Sequence, residues 1–107
     1  MVALRFDVVL VQLDPTVGSE MQKTRPCLVI SPDEMNRHLQ TMIVAPMTTQ
    51  SRAYSFRCAC RFQGKDGQIA LDQIRTIDRS RVIRRLGMIN PKSQATVLKV
   101  LRRIFAR

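Results

Sequence analysis

The sequence predicts a mainly β fold with α-helical additions (α+β), built on a small antiparallel sheet. Short segments rich in Val, Ile and other apolar residues recur along the chain between Pro, Gly and Asp turn signals, as is typical of strands. A helical apolar spacing is sustained only near the C-terminus. At 107 residues the chain has room for one core, so residues 1–107 are expected to form a single domain.

The first half of the chain predicts, in order, a strand over 6–14, a loop over 15–24, a strand over 25–32, a short helix near 32–39 and a strand over 41–46. The first strand, FDVVLVQLD, ends in the turn signal Asp14-Pro15. The segment SPDEMNRHL begins with Ser, Pro, Asp and Glu, the order that favours a helix start. The short helix is therefore expected directly after the second strand.

The second half predicts a strand over 54–63, a GKDG turn over 64–67, a partner strand over 68–74, a short strand around 82–89 and a helix from Pro91 onward. Alternation in YSFRCACRFQ places one set of side chains inward, namely Tyr54, Phe56, Cys58, Cys60 and Phe62. Helical spacing places a second set on one apolar face, namely Val97, Leu98, Leu101, Ile104 and Phe105.

The positive charge is concentrated in the second half of the chain. Residues 1–53 carry five Lys or Arg and five Asp or Glu, whereas residues 54–107 carry thirteen against three. The difference of ten is the whole formal net charge of +10. Such an asymmetric basic domain indicates a polyanionic partner, either a nucleic acid or a strongly acidic protein.

Several classes of protein are disfavoured by the composition. No apolar run approaches the ~20 residues that a membrane span needs, and no signal-peptide cleavage pattern follows the N-terminus, so a cytoplasmic protein without a membrane partner is expected. Three cysteines and one histidine lack metal-ligand spacing, so the cysteines are expected to be reduced and no metal or cofactor is predicted.

Chemistry-bearing residues are expected to meet at one end of the sheet. Arg25 precedes a proline, which favours an extended backbone at a strand mouth. If consecutive strands run antiparallel, the 15–24 loop, the MTTQSRA loop and the end of the 68–74 strand share one end, with GKDG at the opposite end. The converging residues are Glu20, Arg25, Thr48, Thr49 and Asp72.

Three stretches carry a family resemblance: DVVLVQLDPTVGSEMQKTRPCLVISP, VAPMTTQS and GQIALDQIRTID. Together they resemble the MazF/PemK (Kid) family of toxin endoribonucleases over roughly residues 7–89. The resemblance implies an SH3-like barrel of the MazF/CcdB kind that forms a homodimer. It also implies metal-independent, sequence-selective cleavage of single-stranded RNA, and an acidic, MazE-like antitoxin as partner.

The resemblance assigns roles residue by residue. It matches Arg25 and Thr48 to the active site, Glu20 to the loop glutamate, and Asp72-Gln73 to a later Asp-Gln pair. The chain departs from PemK/Kid members at Ser19, where they have histidine, and at Ala70, where they have arginine. The usual glycine before DVV is Phe6. These departures favour a MazF-type pairing of Arg25 with Thr48.

The residue types suit attack of a ribose 2′-hydroxyl on the adjacent phosphorus. A planar guanidinium matches two phosphate oxygens, which suits Arg25, and Thr48 is a hydrogen-bond donor for the same group. Glu20 or Asp72 is the candidate base, and a purely structural role for Asp72 stays open. The residues expected to bind RNA are Lys23, Thr49, Gln50, Arg57, Arg61, Gln73 and Arg75.

Two functions from other classes remain as alternatives at this stage. One is a CcdB-like inhibitor that binds a topoisomerase, and the other is a non-catalytic basic barrel that binds nucleic acid. Neither needs an arginine and a threonine at one site. Cleavage of single-stranded RNA in EDTA would identify the ribonuclease, whereas inhibited DNA supercoiling with intact RNA would identify the topoisomerase inhibitor.

Overall fold

A computed structural model describes residues 2–13, 23–50 and 52–107, and its strands form an antiparallel sheet. The strands are β1 (Asp7–Gln12), β2 (Thr24–Val29), β3 (Thr41–Thr48), β4 (Arg57–Phe62), β5 (Lys65–Ala70), β6 (Arg75–Asp78) and β7 (Val82–Met88). The helices are α1 (Asp33–His38) and α2 (Pro91–Phe105), with 3₁₀ turns at Leu71–Gln73 and Arg79–Arg81. The predicted fold class, mainly β with a short helix after the second strand and a C-terminal helix, is confirmed.

The sheet has the strand order β4-β5-β3-β2-β1-β7, and every neighbouring pair is antiparallel. The long strand β3 uses one edge for β2 and shares its other edge between β6 and β5. Because β5 joins only the last two residues of β3, the hairpin β4–β5 leaves the plane of the other strands and the sheet curls into a half-barrel.

Both faces of the central strands are buried, in two apolar clusters. Val8 and Leu28 face the cluster that α2 covers, while Val9 and Val29 face a second cluster on the other side. Successive side chains along a strand point to opposite faces, so each central strand contributes side chains to both clusters. Burial on both sides makes this part of the sheet a firm base for the polar residues at its edge.

The tip of the β4–β5 hairpin differs from the prediction. The turn consists of Gln63 and Gly64, both at positive φ (52° and 77°), and Phe62 pairs directly with Lys65. A two-residue turn with positive φ at both positions matches the twist of the strands, so Lys-Asp-Gly of GKDG belongs to β5. The predicted strand over 68–74 therefore ends at Ala70, and a 3₁₀ turn follows.

The predicted position of this hairpin was also wrong. β5, not β4, is the neighbour of β3 and runs antiparallel to it, so β4 runs in the same direction as β3. The hairpin tip consequently lies at the same end as Thr48, whereas the sequence analysis placed it at the opposite end. Strand β6, Arg75–Asp78, was not predicted at all.

Three predicted core positions are exposed. Tyr54 precedes β4 and is 49% exposed, because the strand and its alternation begin only at Arg57. On α2, Val97 and Val100 are the buried residues, while Ile104 is 38% exposed and Phe105 is 69% exposed. The helix begins as predicted at Pro91, and the Asn90 side chain caps it by accepting a hydrogen bond from the Ser93 N–H at 2.8 Å.

Phe6 keeps a backbone conformation that favours glycine. Its φ is 75°, in the left-handed region, and its N–H donates to the Val29 carbonyl at 2.7 Å. A non-glycine residue held there costs of order 1 kcal/mol or more. The ring packs against the α2-side cluster, which offsets that strain. Phe6 is thus a non-glycine residue at positive φ at the position where the resemblance has glycine.

Candidate active site

Two adjoining cavities open where β2, β3 and the β4–β5 hairpin meet, and they share Arg25, Thr48 and Thr49. The first, called here the anion cavity, has a volume of about 400 Å³ and is lined by Arg25, Thr48, Thr49, Gln50, Arg52, Arg57, Ala70 and Gln73. The second, called the apolar cavity, has a volume of about 360 Å³ and extends from the shared residues toward the hairpin tip.

The pairing of β2 with β3 brings Arg25 and Thr48 together. Cys27 pairs with Pro46 and Leu28 with Ala45, and the same antiparallel register continues to Arg25 opposite Thr48. Pro26 fixes its own backbone and restricts that of Arg25. Arg25 is exposed and belongs to none of the ion pairs found in the described part of the chain. Its guanidinium is therefore available to an anion in the cavity.

The Thr48 hydroxyl is oriented by the loop that follows β3. Its Oγ1 accepts a hydrogen bond from the backbone N–H of Gln50 at 3.1 Å. Because the oxygen serves as an acceptor, its own O–H proton is left to donate to a ligand. The two predicted site residues thus present donors side by side, a guanidinium and a hydroxyl.

Arg52 is a cationic site residue that the sequence analysis missed. Its backbone is held by Gln68, whose side chain accepts from the Arg52 N–H at 2.9 Å and donates to the Arg52 carbonyl at 2.7 Å. This two-way contact fastens the loop after β3 to β5. The segment MTTQSRA contains Arg52, but the prediction took only Thr48, Thr49 and Gln50 from it.

Arg57, which lines the anion cavity, forms a two-bond ion pair with Asp72. The Arg57 Nε donates to Asp72 Oδ1 at 3.0 Å and Nη2 donates to Oδ2 at 3.1 Å. These hydrogen bonds lower the pKa of Asp72 below its ordinary value and raise that of Arg57. The guanidinium also lies 5.6 Å from the ring centroid of Tyr54, which stacks on Phe56 at 4.9 Å.

The anion cavity is strongly electropositive. Arg25, Arg52 and Arg57 line it, and no carboxylate is among the lining residues in the described ranges.

Arg25 and Arg75 also act on the buried thiol of Cys27. Burial raises the pKa of Cys27 to about 11, and the two guanidinium groups only partly oppose that rise. The Cys27 thiol therefore stays protonated and neutral in the core. It supplies no negative charge to the arginines of the anion cavity, so their anionic ligand would have to come from outside.

The apolar cavity adds a mostly hydrophobic wall next to the same donors. Pro26, Met47, Phe62 and Leu86 line it. Gly67 allows the hairpin to approach β3, since a Cβ at that position would lie 2.6 Å from the carbonyl oxygen of Thr48. A ligand with an anionic group and a flat apolar group would fit across the two cavities.

The structure separates the remaining predicted residues into two groups. Gln50, Gln73 and Thr49 line the anion cavity together with Arg57. Lys23, Arg61 and Arg75 line neither cavity; Arg61 pairs with Asp66 at 3.1 Å and is 68% exposed, on the hairpin. Glu20 and Ser19, two positions of the resemblance, lie outside the described residues.

Two further findings concern metals and membranes. Among residues 2–13, 23–50 and 52–107, no three His, Cys, Asp or Glu side chains are grouped so that they could hold a metal ion. Within the same ranges no helix has the length and apolar character needed to cross a membrane. The described cysteines, Cys27, Cys58 and Cys60, are free and buried.

Comparisons with known proteins agree with one another. A family model described as PemK-like, MazF-like toxin of type II toxin-antitoxin system matches residues 4–105. The chain is 36% identical over 87 residues to the endoribonuclease toxin MazF of Escherichia coli K12, covering 80% of this chain and 78% of that protein. It is 40% identical over 88 residues to endoribonuclease EndoA of Bacillus subtilis 168, covering 77% and 76%. A MazE–MazF crystal structure from Deinococcus radiodurans is similar with a TM-score of 0.83, 27% identity, and coverage of 97% and 96%.

Proposed function

This chain belongs to the PemK-like, MazF-like toxin family of type II toxin–antitoxin systems, and on that premise we propose that it is an endoribonuclease that cleaves single-stranded RNA. We infer that cleavage needs no metal ion and depends on sequence. The reaction leaves a 2′,3′-cyclic phosphate and a 5′-hydroxyl.

The juxtaposition of the two cavities is the observation that carries this proposal. The anion cavity offers arginine and hydroxyl donors to a phosphate, and the apolar cavity begins at the same residues, Arg25, Thr48 and Thr49. A phosphodiester with an unstacked base attached to it has this combination of charge and flat apolar surface. The same arrangement disfavours a topoisomerase inhibitor, which needs no such donors, and a non-catalytic barrel.

The reaction is a transesterification at phosphorus. The 2′-oxygen forms a bond to phosphorus while the bond from phosphorus to the 5′-oxygen breaks. The 2′-hydroxyl proton passes to a base, and the departing 5′-oxygen takes a proton from solvent to become the 5′-hydroxyl. Negative charge grows on the non-bridging oxygens, where Arg25 donates to two oxygens and Thr48 to one. The Thr48 hydroxyl is already oriented by the Gln50 N–H before the substrate binds, so this donor needs little reorganisation during the reaction.

The proton acceptor is a carboxylate, and the candidates are Glu20 and Asp72. Asp72 already accepts two hydrogen bonds from Arg57, and its pKa is lowered by them. A general base works best with a pKa near the operating pH, so a carboxylate whose pKa is depressed is poorly suited. Glu20 is therefore the better candidate.

The proposed partners follow from charge and family. The net charge of +10 favours an acidic antitoxin of the MazE kind, bound across the surface that binds RNA. The similar structure from D. radiodurans is of a MazE–MazF pair. We further propose a homodimer, and a cytoplasmic location, where messenger RNA is present.

Substitution of one ribose tests the proposed chemistry. A single-stranded RNA in which the ribose at the cleaved position is replaced by deoxyribose should bind with nearly unchanged affinity and should not be cut. The unmodified RNA should be cut equally well in EDTA, with a cyclic phosphate on one product. Cleavage of the deoxy substrate at full rate would show a water nucleophile and refute the mechanism; intact RNA with blocked DNA supercoiling would favour the topoisomerase inhibitor.

A further inference from the structure

Arg57 is held more firmly than the other arginines of the anion cavity. Its side chain is only 11% exposed, and Asp72 accepts from both Nε and Nη2. The β4–β5 register accounts for this contact. Arg57 lies opposite Ala70, whose small side chain leaves the guanidinium a path to the turn that begins at Leu71.

The ion pair leaves part of the guanidinium available. Asp72 occupies the edge formed by Nε and Nη2, so the N–H donors of Nη1 remain. Arg57 lines the anion cavity, whereas Asp72 is not among the lining residues. The carboxylate therefore supports the guanidinium from outside the cavity and does not face a ligand inside it.

We propose that Arg57 is a second phosphate-binding guanidinium of this site, that Asp72 positions it, and that a phosphate of bound RNA is held between Arg25 and Arg57. This inference rests on the proposed ribonuclease function and deepens it. It assigns Asp72 a positioning role and leaves the proton transfer to another carboxylate.

A guanidinium that is held by an ion pair stabilises the charge that develops in the transition state better than a mobile guanidinium does. The charge of a phosphoryl transition state is spread over oxygens that point in different directions, so a guanidinium from another strand, Arg57 on β4, adds donors to those that Arg25 on β2 supplies. Arg57 loses little side-chain freedom on binding because Asp72 and the Tyr54 ring already restrain it. Lysine carries a single point charge and lacks the planar set of donors of a guanidinium. It therefore cannot pair with Asp72 and bind a phosphate at the same time as arginine does.

A set of four variants tests the proposal: Arg57→Ala, Arg57→Lys, Asp72→Asn and the double variant Arg57→Ala/Asp72→Asn. We expect Arg57→Ala to lower kcat about 10²-fold, with poor rescue by lysine. Asp72→Asn should lower kcat about 10-fold, as loss of a supporting residue does. In the Arg57→Ala background, Asp72→Asn should cause no further loss, because a positioning residue acts only through its partner.

The pH profile separates positioning from base catalysis. Because the pKa of Asp72 is lowered, the ion pair is intact above that pKa and breaks only as the pH falls through it. Asp72→Asn should therefore leave the acid limb of the kcat profile at its wild-type pH.

Arg102→Gln, which removes one charge from the exposed last turn of α2, is the matched control and should cut RNA at the wild-type rate. Thermal unfolding verifies that each variant is folded.

Three results would overturn the inference while the proposed function stands: a wild-type kcat in Arg57→Ala, a further loss of about 10-fold in the double variant, or a shifted acid limb in Asp72→Asn. If the wild-type chain cuts no RNA, the proposed function fails instead. In that case the affinities of wild type and Arg57→Ala for the deoxy-substituted RNA decide, since equal affinities also refute the phosphate contact.

Discussion

Single residues decide whether the anion cavity can do chemistry, and Arg25 is the first to test. Arg25→Ala should lower kcat by roughly 10²–10³, the usual effect of removing one transition-state donor. The free energy of unfolding should hardly change, because Arg25 is exposed and forms no ion pair among the described residues. Steady-state cleavage and thermal unfolding measure the two quantities.

The control for Arg25 is Arg37→Ala, which removes an exposed arginine from α1, outside both cavities. It should cut RNA at the wild-type rate. If Arg25→Ala and Arg37→Ala behaved alike, the guanidinium of Arg25 would contribute only general charge, and the site would have to be sought elsewhere on the basic surface.

At the scale of residues, the sequence was informative where a local rule applied. Arg25 stands before a proline, and Thr48 stands in a polar segment after an apolar strand, so both could be expected at strand ends. The pairing of Arg57 with Asp72 could not, because it depends on which residue of β5 lies opposite Arg57. That register is fixed by a two-residue turn at Gln63-Gly64, whereas GKDG indicated a turn over 64–67.

At the scale of elements, the hairpin β4–β5 forms one side of both cavities, and its fit against β3 is sensitive to volume. A methyl group at Gly67 would lie 2.6 Å from the Thr48 carbonyl oxygen, so Gly67→Ala must shift one of the two strands. We expect a loss of about 1–3 kcal/mol in the free energy of unfolding, together with a reduced kcat because Thr48 moves. Urea unfolding and steady-state kinetics provide the two numbers.

Gly64→Ala is the matched comparison on the same hairpin. Gly64 has a φ of +77° and no atoms within 4 Å of the added Cβ, so the cost is backbone strain of about 1 kcal/mol or more without movement of Thr48. Stability should fall while kcat stays near the wild-type value. A wild-type kcat in Gly67→Ala would show that the close contact does not position Thr48.

Elements were predicted well where the signal lies in the composition of the segment itself. They were predicted poorly where the structure depends on which other element packs or pairs with the segment. Segments such as 6–14 and 25–32 identify themselves by composition, and the strands found there confirm them. The order of strands in the sheet has no local signal, so the assumption that consecutive strands run antiparallel failed between β3 and β4: β5 lies next to β3, and β4 runs in the same direction as β3. The same limit explains α2, where the apolar face predicted from the spacing includes Ile104 and Phe105, which are exposed.

At the scale of the whole molecule, the excess of positive charge affects association with partners more than it affects the fold. Thirteen of the eighteen Lys and Arg residues lie in residues 54–107, which include the hairpin, β6, β7 and α2. Charge of one sign raises association rates with polyanions and makes their affinity depend on salt. Two partners that both follow this charge, an RNA strand and an acidic antitoxin segment, are expected to compete for it.

Competition for the basic surface is therefore the last prediction. Titration of a candidate antitoxin, an acidic protein of the MazE kind, into a complex with fluorescent deoxy-substituted RNA should displace the RNA. Both affinities should fall as salt is raised, since each complex releases counterions. Arg57→Ala should weaken both partners, whereas Arg37→Ala, far from the cavities, should weaken neither beyond the general effect of one charge. If RNA and antitoxin bound together without mutual loss of affinity, inhibition through a shared surface would be refuted, and the antitoxin would have to act by changing the conformation of the site.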